Sequence, residues 1–421
     1  GDVNADGYDD LAVSWPGRTE TVSNDGRVDL FLGSGAGLVG SGWFWSTGQA
    51  EANVQQVAFG DFDGDGFDDL AVGAVSWDGG GGVFVFPGGA TGLAASPSIT
   101  LTEGQPGASF GSVAALDADG DGFDDLAVGA TGWDVAATNE GAVFLYAGSA
   151  TGLDPVALWS AEGAQAGDNF GYVAAGGDLN GDGFEDLLVG AYYGDGPAGA
   201  DRGSVDLFEG SAGGLGSAPD WTGHGLTTSC GFGYDLASAG DVNGDGFGDL
   251  VVGAYAWPGP STPQGYAEVY AGGPAGPSNA SLVLLTRDRF VYGTDDILAF
   301  GAGIGRGGDF DGDGYTDIAV GARSAYGADR SSGWVGVYRG GPTGTSTSPD
   351  AEYPGERHVE QRGTGVGAGD FDGDGFSDLL YYALDSHSCC PTRIYSGRLT
   401  MRRGNGGGTQ QGPAVHIEQA D

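Results

Sequence analysis

The chain has 421 residues with 58 acidic and 15 basic side chains, which give a formal net charge of -43. This charge excludes a nucleic-acid partner and disfavours insertion into anionic membranes, and no apolar run is long enough to span a bilayer. Three cysteines are too few for a disulfide framework, and 89 glycines without a Gly-X-Y period indicate turns rather than a collagen-like chain.

The first predicted element is an acidic loop at residues 2–10, and the same nine-residue loop recurs six times along the chain. In the copy at residues 61–69, carboxylates occupy positions 1, 3, 5 and 9, and glycines occupy positions 4 and 6. Successive copies start 56 to 68 residues apart, which indicates a repeat protein. Because the repeat covers the whole sequence, we expect one closed domain over residues 1–421.

Several carboxylates in one tight loop repel each other unless a cation holds them, and calcium tolerates six to eight oxygen ligands. An exposed Asp-Gly turn is the simpler interpretation of one copy, but seven copies in one register favour metal binding. An EF-hand is excluded, because position 12 of the second copy is Val72 instead of glutamate. We therefore predict about seven calcium ions, with position 7 contributing its backbone carbonyl. The predicted ligands are Asp2, Asn4, Asp6, Tyr8, Asp10, Asp61, Asp63, Asp65, Phe67, Asp69, Asp117, Asp119, Asp121, Phe123, Asp125, Asp178, Asn180, Asp182, Phe184, Asp186, Asp241, Asn243, Asp245, Phe247, Asp249, Asp309, Asp311, Asp313, Tyr315, Asp317, Asp370, Asp372, Asp374, Phe376 and Asp378.

Short strands surround each loop, and no helical periodicity follows it. In the third repeat the predicted strands are residues 112–116, 126–130 and 142–148, with a looser fourth strand near residues 156–163. Their β-branched and aromatic residues are typical of β-structure. Four antiparallel strands in about 60 residues, repeated seven times, predict an all-β fold. That fold is a seven-bladed β-propeller of four-stranded antiparallel blades with a calcium loop in each blade.

The repeat resembles the FG-GAP repeat of integrin α-subunits and related bacterial proteins. Phe110-Gly111, Phe170-Gly171, Phe232-Gly233 and Phe300-Gly301 match its FG element, and five loops lead into a Gly-Ala pair. The first copy begins at its loop, the second has Gln56-Val57 where FG is expected, and the seventh has Tyr382-Ala383 in place of Gly-Ala. The resemblance implies a seven-bladed propeller with calcium loops between the first and second strands. It also implies adhesion or protein recognition instead of catalysis.

The C-terminal segment is predicted to complete the first blade. Residue 1 already belongs to a loop, so the strand before it must come from elsewhere, and residues 412–421 occupy that place when the sequence is read circularly. We expect residues 414–419 to pair inside the first blade and close the ring. Donation of this strand to a neighbouring molecule would build filaments instead.

Aromatic residues recur at one offset after the second strand of each blade, on the side opposite the calcium loops. Six such rings around one axis could form a cup for a cationic side chain or a sugar face. The alternative is that they only plug the channel. The predicted partner-binding residues are Trp15, Trp77, Trp133, Tyr193, Trp257 and Tyr326.

Catalysis has little support in the sequence. None of the four histidines lies near a Ser-centred elbow or a second histidine at zinc spacing. Calcium loops of weak affinity fill where calcium is near millimolar, so we expect an extracellular or cell-surface protein. The sequence favours a non-catalytic recognition or adhesion module with a protein or glycan partner. The alternatives are a lectin-like or polysaccharide-acting protein and a filament subunit; a monomer and a homo-polymer through the C-terminal strand both remain open.

Overall fold

A computed structural model of the protein describes residues 1–197, 199–256, 265–278, 280–286, 299–323, 332–355, 361–387, 394–405 and 415–418. These residues form seven antiparallel sheets, each built from strands that are consecutive in the chain. The predicted all-β, seven-bladed β-propeller is thereby confirmed. Within the described ranges the helical structure is one 3-10 turn, Trp77–Gly79.

The first blade has three strands, β1 (Leu11–Trp15), β2 (Arg27–Leu32) and β3 (Val39–Trp45). Blades two to four, with four strands each, comprise β4 (Val54–Gly60), β5 (Asp69–Ala74), β6 (Gly82–Phe86), β7 (Ile99–Leu101), β8 (Phe110–Leu116), β9 (Asp125–Ala130), β10 (Ala142–Tyr146), β11 (Trp159–Glu162), β12 (Phe170–Gly177), β13 (Asp186–Ala191), β14 (Ser204–Phe208) and β15 (Trp221–His224). Blades five to seven comprise β16 (Phe232–Gly240), β17 (Asp249–Ala254), β18 (Tyr266–Tyr270), β19 (Val283–Leu285), β20 (Phe300–Ile304), β21 (Ile318–Ala322), β22 (Trp334–Tyr338), β23 (Ala351–Pro354), β24 (Arg362–Gly369), β25 (Asp378–His387), β26 (Ile394–Arg402) and β27 (Val415–Glu418).

Burial differs between the inner and outer strands of a blade, and the sequence explains the difference. The first strands of successive blades contact one another from blade two to blade seven, so these strands lie at the centre of the ring. In blade three the second strand β9 is buried at every residue, because neighbouring blades cover both of its faces. The outer strand β11 alternates between half-buried and exposed residues. Continuous apolar runs therefore mark inner strands, and alternation marks outer strands.

Glycine is required where the second strand of one blade meets the first strand of the next. A Cβ atom added to Gly129 would lie 1.7 Å from the carbonyl oxygen of Gly171, which belongs to an FG pair. Gly73 has the same relation to Gly111, at 1.9 Å. The Gly-Ala and FG pairs are thus two halves of one close backbone contact between blades.

Blade two departs from the predicted placement of the FG element. The register pairs Val54 with Ala74 and Gln56 with Gly73, with a bulge between Val54 and Gln56. In blade three the pairs Phe110 with Ala130 and Ser112 with Gly129 are equivalent. Val54-Gln55 therefore takes the FG position, and the prediction of Gln56-Val57 was wrong by two residues: Val54 precedes Asp61 by seven residues, as Phe110 precedes Asp117.

The predicted closing strand at residues 414–419 was also wrong. Strand β27 pairs with β26, with Ile417 opposite Leu399, so it is the fourth strand of blade seven. The sequence of β27 alternates apolar and polar residues, which suits an outer strand, whereas a first strand such as β8 is almost entirely buried. Residues 414 and 419 lie outside the described part of the chain.

Among the described residues, blades seven and one meet through backbone hydrogen bonds and packed side chains. The Asp9 amide donates to the carbonyl oxygen of Asp370 at 3.2 Å, and the Ser34 amide donates to that of Phe371 at 3.1 Å. Side chains of both blades also pack together, namely Phe371, Leu380, Leu399 and Met401 with Leu11, Val13 and Leu38.

The Gly129→Ala variant tests the contact between blades. The added methyl group cannot fit beside the Gly171 carbonyl, so the blades must separate, and we expect the free energy of unfolding to fall by about 1–3 kcal/mol. Gly40→Ala is the matched control, because Gly40 lies on an exposed strand with no heavy atom within 4 Å of the added Cβ. Urea denaturation measures both variants, and equal stabilities would contradict the assigned contact.

Candidate metal centres

Six acidic loops connect the first and second strands of their blades, and the loop of blade one precedes β1. All seven share one internal hydrogen-bond pattern. In the second copy, Asp61 accepts the Gly66 amide at 3.0 Å, and Asp65 accepts the Phe67 amide at 3.0 Å. The same two bonds recur in all seven copies at 2.8–3.1 Å. The carboxylates at positions 1 and 5 therefore fix the loop backbone, and each retains further lone pairs that face the loop interior or solvent.

Carboxylates converge in the loops as the sequence predicts. In four copies, one oxygen from each of three aspartates lies within 4.8 Å of the others; the groups are Asp61, Asp63 and Asp65; Asp117, Asp119 and Asp121; Asp309, Asp311 and Asp317; and Asp370, Asp372 and Asp374. The other three copies carry asparagine at position 3, and Asn4 accepts the Asp6 amide at 3.0 Å through its side-chain oxygen. All seven loops thus present oxygen donors, the ligand type that calcium prefers.

Position 9 lies at the buried base of each loop. Its carboxylate accepts the amide of the glycine that follows the third strand in blades two to seven, and β2 in blade one, at 2.8–3.0 Å. Burial raises the pKa of Asp69 from 3.8 to about 7. This hydrogen bond opposes the rise, and the other loop carboxylates add to it. The same causes raise the pKa of Asp10 to about 6. A nearby cation would restore the ionised form of these groups.

Two orphaned oxygens show that a cation fits the seventh loop. Asp372 Oδ1 and Asp378 Oδ2, at positions 3 and 9, are buried without a hydrogen-bond partner. A buried carboxylate oxygen without a donor is costly, and a metal ion is a partner that would satisfy both. Positions 1, 3, 5 and 9 would supply the side-chain oxygens for such an ion.

Among the described residues, arginines contact the position 3 carboxylate in the last two loops. Arg339 Nη1 lies 2.8 Å from Asp311 Oδ2, and Arg403 Nη1 lies 2.8 Å from Asp372 Oδ2. Each arginine follows the third strand of its own blade and contacts position 3 of that blade's loop. The local charge of these two loops is therefore less negative than that of the loops without an arginine neighbour.

Backbone hydrogen bonds join the loops into a ring. At each of the seven interfaces, the amide of position 8 donates to the position 1 carbonyl of the preceding blade at 2.9–3.2 Å. The donors are Asp9, Asp68, Asp124, Glu185, Gly248, Thr316 and Ser377. A second set of seven bonds runs from the turn after each third strand to the position 2 carbonyl of the preceding loop, at 2.8–3.1 Å. Each candidate metal site is thus fastened to both neighbours.

Position 8 is a functional position that the sequence reasoning missed. The carboxylates of Asp9, Asp68, Asp124 and Glu185 accept the position 1 amide of the preceding blade, for example Asp61 N–H to Asp124 Oδ2 at 2.9 Å. Burial raises the pKa of Asp124 to about 6. The signal in the sequence was the acidic pair at positions 8 and 9, which four copies contain. The predicted ligand pattern uses position 9 and does not explain the acidic residue at position 8.

The aromatic residue at position 7 also has a packing role. The Phe123 ring lies over Gly64, where an added Cβ would approach it to 2.5 Å, and Tyr8 lies over Gly373 in the same way at 2.6 Å. Position 4 is therefore glycine in six copies, because the ring of the following blade occupies the space that a side chain would need, whereas the first copy has Ala5 there.

The predicted partner-binding aromatics do not share one arrangement. Trp15 is 5% exposed and packs edge-on against Tyr382 at a centroid distance of 5.6 Å. Trp77 and Trp133 pack edge-on against phenylalanines of their own blades, at 5.3 Å and 5.2 Å. Tyr193 is 43% exposed. Trp257 and Tyr326 lie outside the described residues.

Tyr193 belongs to a cluster of tyrosines that the sequence analysis did not identify. Tyr192 and Tyr193 are 4.2 Å apart between ring centroids, Tyr234 and Tyr255 are 4.6 Å apart, and Tyr172 lies 5.3 Å from Tyr192. These residues come from the first strands of blades four and five and from the turns after their second strands. Antiparallel strands place those turns at the face opposite the acidic loops.

Arg323 of blade six extends this tyrosine cluster. Its guanidinium carbon lies 5.8 Å from the Tyr234 centroid and 5.9 Å from the Tyr255 centroid, within the range of a cation–π contact. The cluster therefore spans three blades, and its rings are oriented so that they attract a positive charge.

Comparisons with known proteins agree with this architecture. A family model described as FG-GAP-like repeat matches residues 2–72 and 309–381, and one described as FG-GAP repeat matches residues 109–146, 170–208 and 232–284. Within the described residues, no helix is long and apolar enough to cross a membrane.

Three curated relatives share about a third of their aligned residues with this chain. Integrin alpha-PS2 of Drosophila melanogaster is 35% identical over 176 residues, which are 40% of this chain and 12% of the relative. Phosphatidylinositol-glycan-specific phospholipase D of Rattus norvegicus is 36% identical over 217 residues, 49% of this chain and 26% of the relative. Integrin alpha-3 of Cricetulus griseus is 35% identical over 185 residues, 44% of this chain and 17% of the relative.

The chain thus spans about a quarter or less of these three relatives. Its repeats, their matches and the seven blades lead to one assignment: the protein belongs to the FG-GAP repeat family, is homologous to the integrin α-subunits, and forms a seven-bladed β-propeller.

Proposed function

We propose that this protein is a calcium-stabilised recognition or adhesion module that acts outside the cell or on its surface and is not an enzyme. The observation that carries the proposal is the division between two faces. The acidic loops are joined in a ring on one face, and the tyrosine cluster with its exposed Tyr193 lies on the other. One face supplies rigidity, and the other is available to a partner.

The relatives support a recognition function for this chain, and the similarity does not support an enzymatic activity. Integrin α-subunits share the propeller repeats with this chain. The match to phosphatidylinositol-glycan-specific phospholipase D covers 26% of that protein, so the activity in its name is not transferred here. The filament alternative loses its support, because β27 pairs within its own blade.

Calcium would act by neutralising the buried carboxylates and holding each loop between its neighbours. With a site Kd of ~10⁻⁴ M and calcium at ~1 mM, each filled site stabilises the fold by about 1.4 kcal/mol. Seven independent sites would contribute about 10 kcal/mol, which is comparable to the stability of a whole domain. We therefore expect EDTA to lower the Tm.

The Asp121→Asn variant tests one site without changing its loop backbone. Asp121 Oδ1 accepts the Phe123 amide at 3.0 Å, a bond that asparagine retains, so the variant removes mainly the charge. We expect one calcium ion fewer per chain by isothermal titration calorimetry and a loss of about 1 kcal/mol in ~1 mM calcium. In EDTA the variant should unfold no earlier than the original protein, because it has lost one of the charges that repel each other in the empty loop.

Asp154→Asn is the matched control for this substitution. Asp154 is exposed, lies outside the acidic loops, and accepts the Val156 amide at 2.9 Å in the same local geometry. It should leave both the calcium stoichiometry and the Tm unchanged. Equal behaviour of the two variants in calcium would remove the support for metal binding by the loops.

The pH dependence of stability should differ in sign with and without calcium. Without metal, the folded pKa of the position 9 carboxylates is about 6 or 7, above the ordinary value of 3.8. The folded state therefore binds more protons than the unfolded state between pH 4 and pH 7, and its stability rises as the pH falls through that window. Calcium requires the ionised form, so protons compete with it.

We accordingly expect the Tm in EDTA to rise as the pH is lowered from 8 to 5.5, and the difference in Tm between calcium and EDTA to shrink. Scanning calorimetry in both conditions provides the measurement. Burial lowers the pKa of His224, so this group makes the Tm in EDTA fall as the pH is lowered. It is a single group, whereas seven position 9 carboxylates act in the opposite direction. A Tm in EDTA that falls toward pH 5.5 would contradict the assigned environment of position 9.

The Tyr193→Ala variant tests the partner face. The original protein is first screened against purified extracellular and cell-surface proteins and against a glycan array. We expect a protein ligand, and Tyr193→Ala should weaken its binding about tenfold or more at unchanged Tm, since exposed tyrosines often dominate interfaces.

Phe44→Ala is the control for Tyr193→Ala, because Phe44 is 51% exposed on the outer strand of blade one. Binding that Phe44→Ala weakens and Tyr193→Ala does not would move the partner site away from the tyrosine cluster. Hits confined to the glycan array would replace the protein-binding function by the lectin-like alternative.

A further inference from the structure

Two of the seven acidic loops contain an asparagine followed by a glycine at positions 3 and 4. They are Asn180-Gly181 in blade four and Asn243-Gly244 in blade five. Both asparagines are half-buried and both glycines are exposed, so water reaches each pair. The first loop has Asn4-Ala5 at the same positions, and the other four loops have Asp-Gly. The copies therefore differ at a dipeptide whose side-chain amide can react with the next main-chain nitrogen.

An Asn-Gly pair can lose ammonia without an enzyme. The glycine nitrogen bonds to the side-chain carbonyl carbon of asparagine, and the bond from that carbon to the side-chain nitrogen breaks. The proton of the glycine amide passes through water to the departing ammonia, and a five-membered succinimide remains. Water then opens the ring on one of its two sides and gives aspartate or isoaspartate. Glycine favours the reaction because no Cβ shields its nitrogen or restricts its backbone.

The folded loop of blade four holds the two reacting groups apart. The Gly181 amide donates to Asp178 Oδ1 at 2.6 Å, so its nitrogen is engaged within the loop. Asn180 Oδ1 accepts the Asp182 amide at 2.9 Å, and Asn180 Nδ2 donates to Asp182 Oδ2 at 3.0 Å. The attack requires the carboxamide to turn toward the Gly181 nitrogen, which breaks these hydrogen bonds. The loop therefore suppresses the reaction while it keeps its shape.

The loop of blade five repeats this arrangement. The Gly244 amide donates to Asp241 Oδ1 at 2.6 Å, and Asn243 Oδ1 accepts the Asp245 amide at 2.8 Å. In both blades the glycine amide is held by the position 1 carboxylate, and the asparagine side chain is held by the residue at position 5. The carboxylates at these two positions are among those that a cation would hold, and they repel each other in an empty loop. Loss of the cation therefore weakens the contacts that protect the asparagine.

The loop of blade three shows that an aspartate product fits. Its position 3 residue, Asp119, accepts the Asp121 amide at 3.2 Å. The Gly120 amide donates to Asp117 Oδ1 at 2.8 Å, as the glycine amides do in blades four and five. Aspartate at position 3 would thus keep the loop and add a fourth carboxylate to it. Isoaspartate inserts an additional atom into the main chain, so the amides after position 3 could not all reach the position 1 carboxylate.

We propose that Asn180 and Asn243 are sites of spontaneous deamidation that the cation-filled loops protect. When these loops empty, position 3 of blades four and five converts to aspartate, which adds a negative ligand, or to isoaspartate, which disables the loop. Ammonia is lost in the conversion, so the chain keeps a chemical record of calcium loss in two adjacent blades. This inference rests on the calcium binding proposed above, and the test separates the two.

The test incubates the whole protein at mildly alkaline pH, with calcium or with EDTA, at a temperature well below the Tm in EDTA. Peptide mapping by mass spectrometry follows the loss of ammonia at each asparagine. Isothermal titration calorimetry of a parallel sample counts the bound calcium. We expect deamidation at residues 180 and 243 to be at least about tenfold faster in EDTA than in calcium, because the empty loop brings the reacting groups together more often.

Two other asparagines of the same chain provide controls. Asn4 accepts the Asp6 amide at 3.0 Å in the first loop, where Ala5 replaces the glycine, so it should stay intact in both conditions. Asn405 precedes a glycine outside the acidic loops and reports any general loosening of the protein. Its acceleration in EDTA should be smaller than that of the two proposed sites.

The Ala5→Gly variant introduces the reactive pair into the first loop. Ala5 has a φ of 53°, in the left-handed region, so glycine relieves backbone strain there and the variant should fold. Asn4 of this variant should deamidate in EDTA and be protected in calcium, as we expect for the two proposed sites of the original protein.

Three results would overturn the proposal. One is equal deamidation of residues 180 and 243 in calcium and in EDTA while calorimetry shows bound calcium. Another is equal acceleration of residues 180, 243 and 405 in EDTA. The third is an Asn4 that stays intact in EDTA in the Ala5→Gly variant. Absence of bound calcium by calorimetry would overturn the calcium-stabilised function together with this inference.

Discussion

The blades depend on one repeated contact, the backbone hydrogen bond from position 8 of each acidic loop to position 1 of the loop before it. All seven interfaces contain it, including the junction of Asp9 with Asp370 where the two ends of the ring meet. Because the donor and acceptor belong to the same loops that gather the carboxylates, repulsion within one loop strains both of its interfaces. A bound cation would therefore reduce the carboxylate repulsion within a loop and, by the same contact, stabilise both of its interfaces with neighbouring blades.

The same contact also joins the two ends of the ring. Blade seven contacts blade one through two backbone hydrogen bonds and an apolar cluster around Met401. The same two backbone hydrogen bonds join the other neighbouring blades. Strand β27 is the fourth strand of blade seven, so this described part of the C-terminal segment does not pair with blade one. The junction shares these backbone hydrogen bonds with the six other interfaces, but it lacks the Gly–FG contact, because blade seven has Tyr382 in place of the glycine.

The sequence predicted the blades because their signals are local, and it failed where residues meet across the ring. Carboxylate spacing and apolar runs such as residues 126–130 lie within one repeat, so the fold and the loops could be derived from them. The role of Asp124 could not, since its partner is the amide of Asp61 in another blade. The tyrosine cluster combines residues of three blades for the same reason. The error at residues 414–419 came from counting residues alone, although the alternation in that segment already indicated an outer strand.

The two arginines beside the acidic loops make the local charge of those loops differ from blade to blade. Arg339 and Arg403 each contact the position 3 carboxylate of their own blade, in blades six and seven. Any divalent cation that enters these two loops meets an additional positive charge, so its affinity there is lower than in the loops without an arginine neighbour. As the cation became scarce, these two neighbouring sites would empty before the others. The ring would then loosen first at blades six and seven, beside the junction that completes the circle, so the protein would respond to its ionic surroundings in stages and from one defined sector.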